Sequence, residues 1–138
     1  MQKVERVLIS RTDNLGDVIL TLPLAGYIKS KWPNAEVFFL GKAYTKPLID
    51  ACIHVDKFLD WDALAGLPED EAISSLTQLN ISTVVHVFPN KVFARLCKRA
   101  NIPMRIGTTN RIFHWRTCDK MVKLSRKNSP FHESELNF

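Results

Sequence analysis

The chain has 138 residues, of which 46% are hydrophobic and 24% are charged. This length and composition are typical of one folded globular domain and exclude a disordered chain. No apolar run approaches the roughly 20 residues that span a bilayer, and "MQKVERVLIS" lacks the pattern of a secretory signal. A cytoplasmic location is therefore the default expectation.

The predicted elements alternate between strand and helix along the chain. The first strand is "VERVLIS" (4–10), an apolar run suited to burial on both faces, and a helix is predicted over 17–31, irregular or bent near Pro23. Strands are predicted next at 36–41, within 54–61, at 82–88 and at 103–107, with helices over 45–52, 67–80 and 89–101. This order predicts an α/β fold, a Rossmann-like parallel sheet flanked by helices. After Gly107 the pattern weakens into loops with short elements.

The net charge of +5 is unevenly distributed. Residues 1–90 hold 8 Lys/Arg and 11 Asp/Glu, whereas residues 91–138 hold 11 Lys/Arg and 3 Asp/Glu. Within the second segment, a helical count places Lys91, Arg95, Lys98 and Arg99 on one side, opposite a core face of Val92, Phe93, Leu96, Cys97 and Ala100. This stripe favours an anionic partner, although a solvated basic face without a partner is the alternative.

Cofactor and metal motifs are not found in the sequence. Gly16 stands alone where a dinucleotide-binding strand–helix turn would carry three glycines, and no phosphate-binding loop motif occurs. The three cysteines are widely spaced and form no Cys/His cluster, so reduced core thiols are expected. No resident cofactor and no metal are predicted.

The loop "RTDNLGD" (11–17) directly follows the first strand, where open parallel sheets bind their ligands. Gly16 is expected to let the backbone turn tightly. Asp17 has two interpretations: it caps the helix that follows, or it is a general base set opposite Arg11 or the helix end. Asp13 has the same two interpretations, with a solvated loop acid favoured.

Three stretches in order resemble one known family. "VLISRTDNLGDVILTLP" has a strand, a basic residue, a polar loop, Gly-Asp and then Leu-Pro, with Arg11, Thr12, Gly16, Asp17, Leu22 and Pro23 at those places. "VVHVFPNKVFARLCKRANIPMRIG" and "HESELNF" follow. Together they resemble the ADP-heptose:lipopolysaccharide heptosyltransferases, glycosyltransferase family 9, over nearly the whole chain.

The resemblance implies the N-terminal half of a GT-B enzyme. Residues 1–125 would form the acceptor-binding domain and 126–138 the start of the interdomain connection, with the donor domain absent. Asp17 would be the general base of an inverting, metal-independent transfer from a nucleotide-sugar to a lipopolysaccharide inner-core acceptor. The isolated chain would have little activity, and its exposed cleft edge predicts homodimerisation or marginal solubility. Three explanations of its length are left open: an excised acceptor domain, a truncated gene, or half of a two-chain enzyme with a separate donor domain.

The anionic acceptor, at the cytoplasmic surface of the inner membrane, would explain the basic second segment. The candidate acceptor contacts lie in the first loop and in the segment from Asn90 onwards. They are Arg11, Thr12, Asn14, Gly16, Asn90, Lys91, Arg105 and Arg111. The alternative function is a non-catalytic module that binds an anionic glycolipid or nucleic acid. Nucleic acid is disfavoured because the sequence contains no recognition-helix, RRM or KH pattern.

Overall fold

The computed structural model describes residues 5–88, 90–108 and 120–122. Six parallel strands form one sheet in the order β3-β2-β1-β4-β5-β6. The strands are β1 (Arg6–Ser10), β2 (Glu36–Gly41), β3 (Lys57–Asp60), β4 (Thr83–His86), β5 (Met104–Thr108) and β6 (Lys120–Val122). This is the Rossmann order, and the predicted fold class is confirmed.

Five helices connect the first five strands. They are α1 (Leu15–Lys31), α2 (Lys46–Asp50), preceded by a 3₁₀ turn at Ala43–Thr45, α3 (Trp61–Ala65), α4 (Glu69–Gln78) and α5 (Lys91–Arg99). Pro68 precedes α4, and the three acids Glu69, Asp70 and Glu71 occupy its first turn, where the helix dipole favours negative charge. The short helix α3 was not predicted from the sequence.

Two apolar clusters cover the two faces of the sheet. Leu8, Phe38 and Leu40 face a cluster that includes Leu76 of α4 and Phe93 of α5. The alternate residues of β1 and β2 face the other cluster, to which α1 and α2 also contribute. Its members include Val7, Ile9, Val37 and Phe39 from the strands and Val18, Leu24, Ala25, Ile28 and Ile49 from the helices. Because side chains alternate across a strand, the continuous apolar runs of β1 and β2 supply both faces at once.

Helix α1 differs from its prediction at the start. It begins at Leu15, two residues earlier than predicted, and Asn14 caps it with its side-chain oxygen, which accepts from the Asp17 N–H at 3.0 Å. The helix then continues through Pro23 to Lys31 as one element. The interpretation of Asp17 as the N-cap is therefore wrong, because Asn14 holds that place.

Candidate functional site

The site lies at the carboxyl ends of β1 and β4, the two central strands. Ser10 and His86 are paired in register there, and the chain leaves β1 towards α1 and leaves β4 towards α5. Since α1 and α5 pack on opposite faces of the sheet, their loops separate at this point. Such a topological switch point is where open α/β sheets bind ligands.

A hydrogen bond joins the two loops across this point. The Asn90 Nδ2 donates to Thr12 Oγ1 at 2.9 Å, although the residues are 78 positions apart. Asn90 also caps α5, since its Oδ1 accepts from the Phe93 N–H at 3.0 Å. Thr12 is only 4% exposed. Both side chains therefore have a structural role in fixing the loops, in addition to the acceptor contacts predicted for them.

Arg11 is the centre of the first loop. Its backbone N–H donates to the Leu40 carbonyl at 3.1 Å, which fixes the loop to the end of β2. The guanidinium binds Asp13 through two nitrogens, with Nε–Oδ1 at 3.0 Å and Nη2–Oδ2 at 3.3 Å. The same Nη2 lies 3.2 Å from Asp17 Oδ1. The predicted position of Asp17 opposite Arg11 is thus observed.

Thr21 completes this network and was not identified from the sequence. It lies one turn after Asp17 on α1, and its Oγ1 donates to the Asp17 carbonyl at 2.9 Å while accepting from Arg11 Nη1 at 3.2 Å. Its side chain is fully buried. A threonine inside a helix gives no sequence signal of such a role. Only the i, i+4 spacing from Asp17 could have suggested it.

Asp17 is more exposed than the other two charged side chains of the cluster, Arg11 and Asp13. Arg11 and Asp13 are 13% and 14% exposed, whereas Asp17 is 32% exposed. Arg11 therefore makes its contacts inward, to two carboxylates, and Asp17 is the member of the group that solvent or a ligand reaches most readily. With all three groups ionised, the cluster carries a charge of −1, so it does not itself attract an anion.

The pKa of Asp13 is raised from its ordinary value. Burial is the largest cause, and the hydrogen bond with Asp17 and the negative charge of Asp17 act in the same direction, against the lowering effect of Arg11. The interpretation of Asp13 as a solvated loop acid is therefore wrong. Its carboxyl group is largely enclosed by its contacts with Arg11 and Asp17.

Gly16 does not make a tight turn. It lies inside α1, and no glycine among the described residues has a positive φ. A Cβ added to Gly16 would meet only Asn14 Oδ1, at 3.5 Å, which is an ordinary contact. The expectation that this position requires glycine for its backbone conformation is wrong. An acceptor contact at Gly16 and at the exposed cap Asn14 stays a prediction.

Three predicted acceptor residues, Lys91, Arg105 and Arg111, are not part of the cluster formed by Arg11, Asp13 and Asp17. Lys91 is exposed at the first position of α5, beside Asn90. Arg105 is paired in register with Val84, two residues before the end of β4, so its backbone lies within the sheet and not at its carboxyl edge. Arg111 and the proposed connection 126–138 lie outside the described residues.

The basic stripe on α5 is partly neutralised by a neighbouring helix. Glu69 of α4 lies 3.2 Å from Arg99 Nη1 and 3.7 Å from Arg95 Nε. Part of the positive charge for which the sequence favoured an anionic partner is therefore balanced from within the domain. The opposite face matches its prediction at Phe93, Leu96 and Cys97, but Val92 is 59% exposed and does not belong to the core.

Within the described part of the chain, no group of three or more His, Cys, Asp or Glu side chains could hold a metal ion. Among the same residues, no helix is long and apolar enough to cross a membrane.

Comparison with known proteins finds similar structures but no similar sequence. No protein-family model matches the sequence, and no curated protein matches it. A glycosyl transferase of family 9 from Veillonella parvula has a similar structure, with a TM-score of 0.77 and 17% identity over 96% of this chain. This chain therefore shares the fold of the part of that glycosyl transferase that it covers. The E. coli ADP-heptose lipopolysaccharide heptosyltransferase II matches with a TM-score of 0.75 and 15% identity over 90% of this chain.

A third structure is that of the E. coli heptosyltransferase WaaC with ADP-2-deoxy-2-fluoro heptose, with a TM-score of 0.75 and 16% identity over 96% of this chain. The chain spans 39%, 36% and 45%, respectively, of the length of these three proteins. The Rossmann-like α/β fold expected from the sequence is also the fold of these three proteins over the region that the chain covers.

Proposed function

We propose that this chain is the acceptor-binding part of a heptosyltransferase-like glycosyltransferase, in which Asp17 is the general base. The observation that carries the proposal is the position of Asp17 at the switch point of the sheet. One of its oxygens, Oδ1, lies 3.2 Å from Arg11 Nη2, while the side chain stays 32% exposed. A base needs both a fixed orientation and access to its substrate.

In the proposed reaction, Asp17 takes the proton from a hydroxyl of the acceptor sugar. The oxygen of that hydroxyl forms a bond to the anomeric carbon of the donor on the face opposite the nucleotide. The bond between the anomeric carbon and the phosphate oxygen breaks, and the nucleoside diphosphate leaves with the electron pair. The configuration at the anomeric carbon is inverted. A general base typically contributes about 10²–10⁴ in rate to such a step.

The acceptor in this proposal is an anionic inner-core sugar of lipopolysaccharide, reached at the cytoplasmic face of the inner membrane. Because the Arg11 cluster has a net charge of −1, the attraction for the acceptor would come from Lys91 and the basic residues that follow it. Residues 91–138 hold 11 Lys/Arg and 3 Asp/Glu, an excess that suits a phosphorylated or carboxylated sugar.

The donor in this proposal is a nucleotide-sugar such as ADP-heptose, bound by a second domain. The chain spans 36–45% of the length of the heptosyltransferases cited above, and the donor is assigned to the part of those proteins that it does not span. The 138-residue chain alone is expected to have little transfer activity, because the groups that stabilise the departing nucleotide are often the largest contribution to catalysis.

The proposal is tested by supplying the donor domain to this chain, fused or in trans, and measuring transfer of heptose to an inner-core acceptor. Transfer that appears only with both parts, and that Asp17→Asn abolishes, supports the proposal. The matched control is Asp50→Asn, an exposed helical acid whose carboxylate pairs with Lys46 away from the loops. Equal loss in both variants would contradict the assignment of Asp17.

A binding assay separates this function from that of a non-catalytic module. The chain is titrated with phosphorylated inner-core oligosaccharide and, separately, with random DNA at several salt concentrations. The proposal predicts saturable binding of the oligosaccharide. Binding of DNA alone, with a steep salt dependence, would favour the nucleic-acid alternative instead.

A further inference from the structure

The arrangement of Asp13 and Asp17 around Arg11 suggests more than an accessible base. Arg11 Nη2 is shared between the two carboxylates, at 3.3 Å from Asp13 Oδ2 and 3.2 Å from Asp17 Oδ1. One guanidinium nitrogen thus holds two acids, Asp13 in the loop and Asp17 in the first turn of α1. Thr21 fixes the other terminal nitrogen, so the guanidinium cannot rotate to serve one acid alone without losing a contact.

The two carboxyl groups are also neighbours, since each has an oxygen within 3.3 Å of the same Arg11 nitrogen. Burial raises the pKa of Asp13 above its ordinary value, and a hydrogen bond with the Asp17 side chain raises it further. A hydrogen bond between two carboxyl groups requires that one of them carries a proton, since an ionised carboxylate is only an acceptor. The geometry therefore allows one proton to be held between the two acids.

We propose that Asp13 and Asp17 form a carboxyl pair that holds one shared proton beside Arg11, so that Asp13 is the positioning partner of the base. This inference rests on the proposed function of Asp17. With both acids ionised, the cluster would carry a charge of −1. When Asp17 takes the acceptor proton, the cluster becomes neutral, and the new O–H of Asp17 donates to Asp13.

The pair would make the proton transfer more favourable than an isolated carboxylate does. Two negative charges close together disfavour the doubly ionised state, and the first proton relieves that repulsion. Arg11 limits the effect because it stabilises both charges. In the described part of the chain, Arg11 and Asp17 are the charged groups in contact with Asp13, and the side chains joining the neighbouring loops, Thr12 and Asn90, are neutral.

The first test needs no activity. The carboxyl carbons of aspartate in this chain are followed by NMR through an acid titration, with and without Asp17→Asn. We expect the pKa of Asp13 to fall in Asp17→Asn, because the neighbouring negative charge and its hydrogen bond are removed. Asp56, which pairs with Lys29 on another part of the sheet, is the internal control and should not change. An Asp13 midpoint that stays the same or rises would overturn the pair.

The second test uses the assembled transferase and the variant Asp13→Asn. The amide oxygen of asparagine can still accept from Arg11, so the guanidinium keeps its place, but the charge is lost. We expect the acidic limb of the kcat profile to move to lower pH, KM for the acceptor to change little, and kcat to fall by about tenfold, part of the 10²–10⁴ that a general base contributes. Asp13→Glu should restore the position of the limb.

A purely structural role for Asp13 predicts a different result. Thermal stability would then fall in Asp13→Asn while the pH profile keeps its shape, and that outcome would overturn the positioning role. Failure of the proposed function is recognised separately: Asp17→Asn would retain transfer, whatever the NMR titration shows. Should Asp13→Asn fail to fold, the wild-type and Asp17→Asn titrations still decide whether the proton is shared.

Discussion

Replacement of Asn90 by alanine tests whether the two loops of the site are held together as the structure indicates. The change removes the cap of α5, the Oδ1 contact with the Phe93 N–H, and such losses typically cost about 1 kcal/mol. It also removes the Nδ2 donor to the buried Thr12 hydroxyl, a hydrogen bond worth about 1 kcal/mol. We expect a total loss of about 2 kcal/mol in the free energy of unfolding.

Urea unfolding of the chain measures this loss, and a double-mutant cycle with Thr12→Val isolates the bond between the loops. Asn90→Asp is the matched control, because it keeps a capping oxygen and removes the amide donor. The coupling energy between Asn90→Ala and Thr12→Val should be about 1 kcal/mol, within the range for residues in direct contact. A coupling energy of zero would refute a stabilising hydrogen bond between Asn90 and Thr12, even if Asn90→Ala is destabilising by itself.

Three further changes test the packing and the electrostatics. Gly41→Ala should destabilise the chain by about 1–3 kcal/mol in urea unfolding, because its Cβ would lie 2.8 Å from Thr45 Oγ1 and 3.0 Å from Ile49 Cδ1; unchanged stability would contradict the packing there. Gly26→Ala should be neutral or stabilising by up to about 1 kcal/mol, because the three atoms nearest its Cβ all belong to the exposed ring of His54, the closest at 3.1 Å, and that ring can move aside; a loss as large as that of Gly41→Ala would refute this contrast. Although burial opposes ionisation, the contacts of Asp56 with Lys29 and the Val37 N–H hold its pKa below the ordinary value. Asp56 therefore stabilises the fold above the ordinary aspartate pKa and loses this effect as the pH falls through its lowered value. Asp56→Asn should cost about 0.5–1 kcal/mol at pH 7, given that Asp56 is 41% exposed, and this cost should shrink with acid in urea unfolding; a cost that grows with acid would contradict the sign.

The sheet could be predicted from the sequence because its central strands are apolar on both faces. The bounds of β2, 36–41, match the structure, since the run "EVFFLG" is buried on alternate sides, follows the chain break at "WPNA" and is followed by Lys42. The short elements α3 and β6, of five and three residues, were missed. Segments of that length carry too few residues to establish a period, and contacts with the rest of the fold determine their conformation.

The site was predicted in part, because residue types that serve a cap also serve a base. Asn14 and Asp17 are both good N-caps, and the sequence does not say which of them ends the loop. The enclosure of Asp13 depends on the guanidinium of Arg11 and could not be read from the sequence. The i, i+4 spacing of Thr21 from Asp17 was a signal of their contact, but the contact of Thr21 with the same guanidinium was not indicated. Glu69 was not connected with Arg95 and Arg99 because the packing of α4 against α5 is a tertiary contact.

The central claim is that Asp17 removes the acceptor proton. The most direct measurement is the single-turnover rate of sugar transfer by the assembled transferase carrying Asp17→Asn, with acceptor binding measured on the same preparation. The account predicts a rate lower by about 10²–10⁴ with acceptor affinity nearly unchanged. A variant that transfers the sugar at the wild-type rate, with the acceptor bound equally well, would contradict the account.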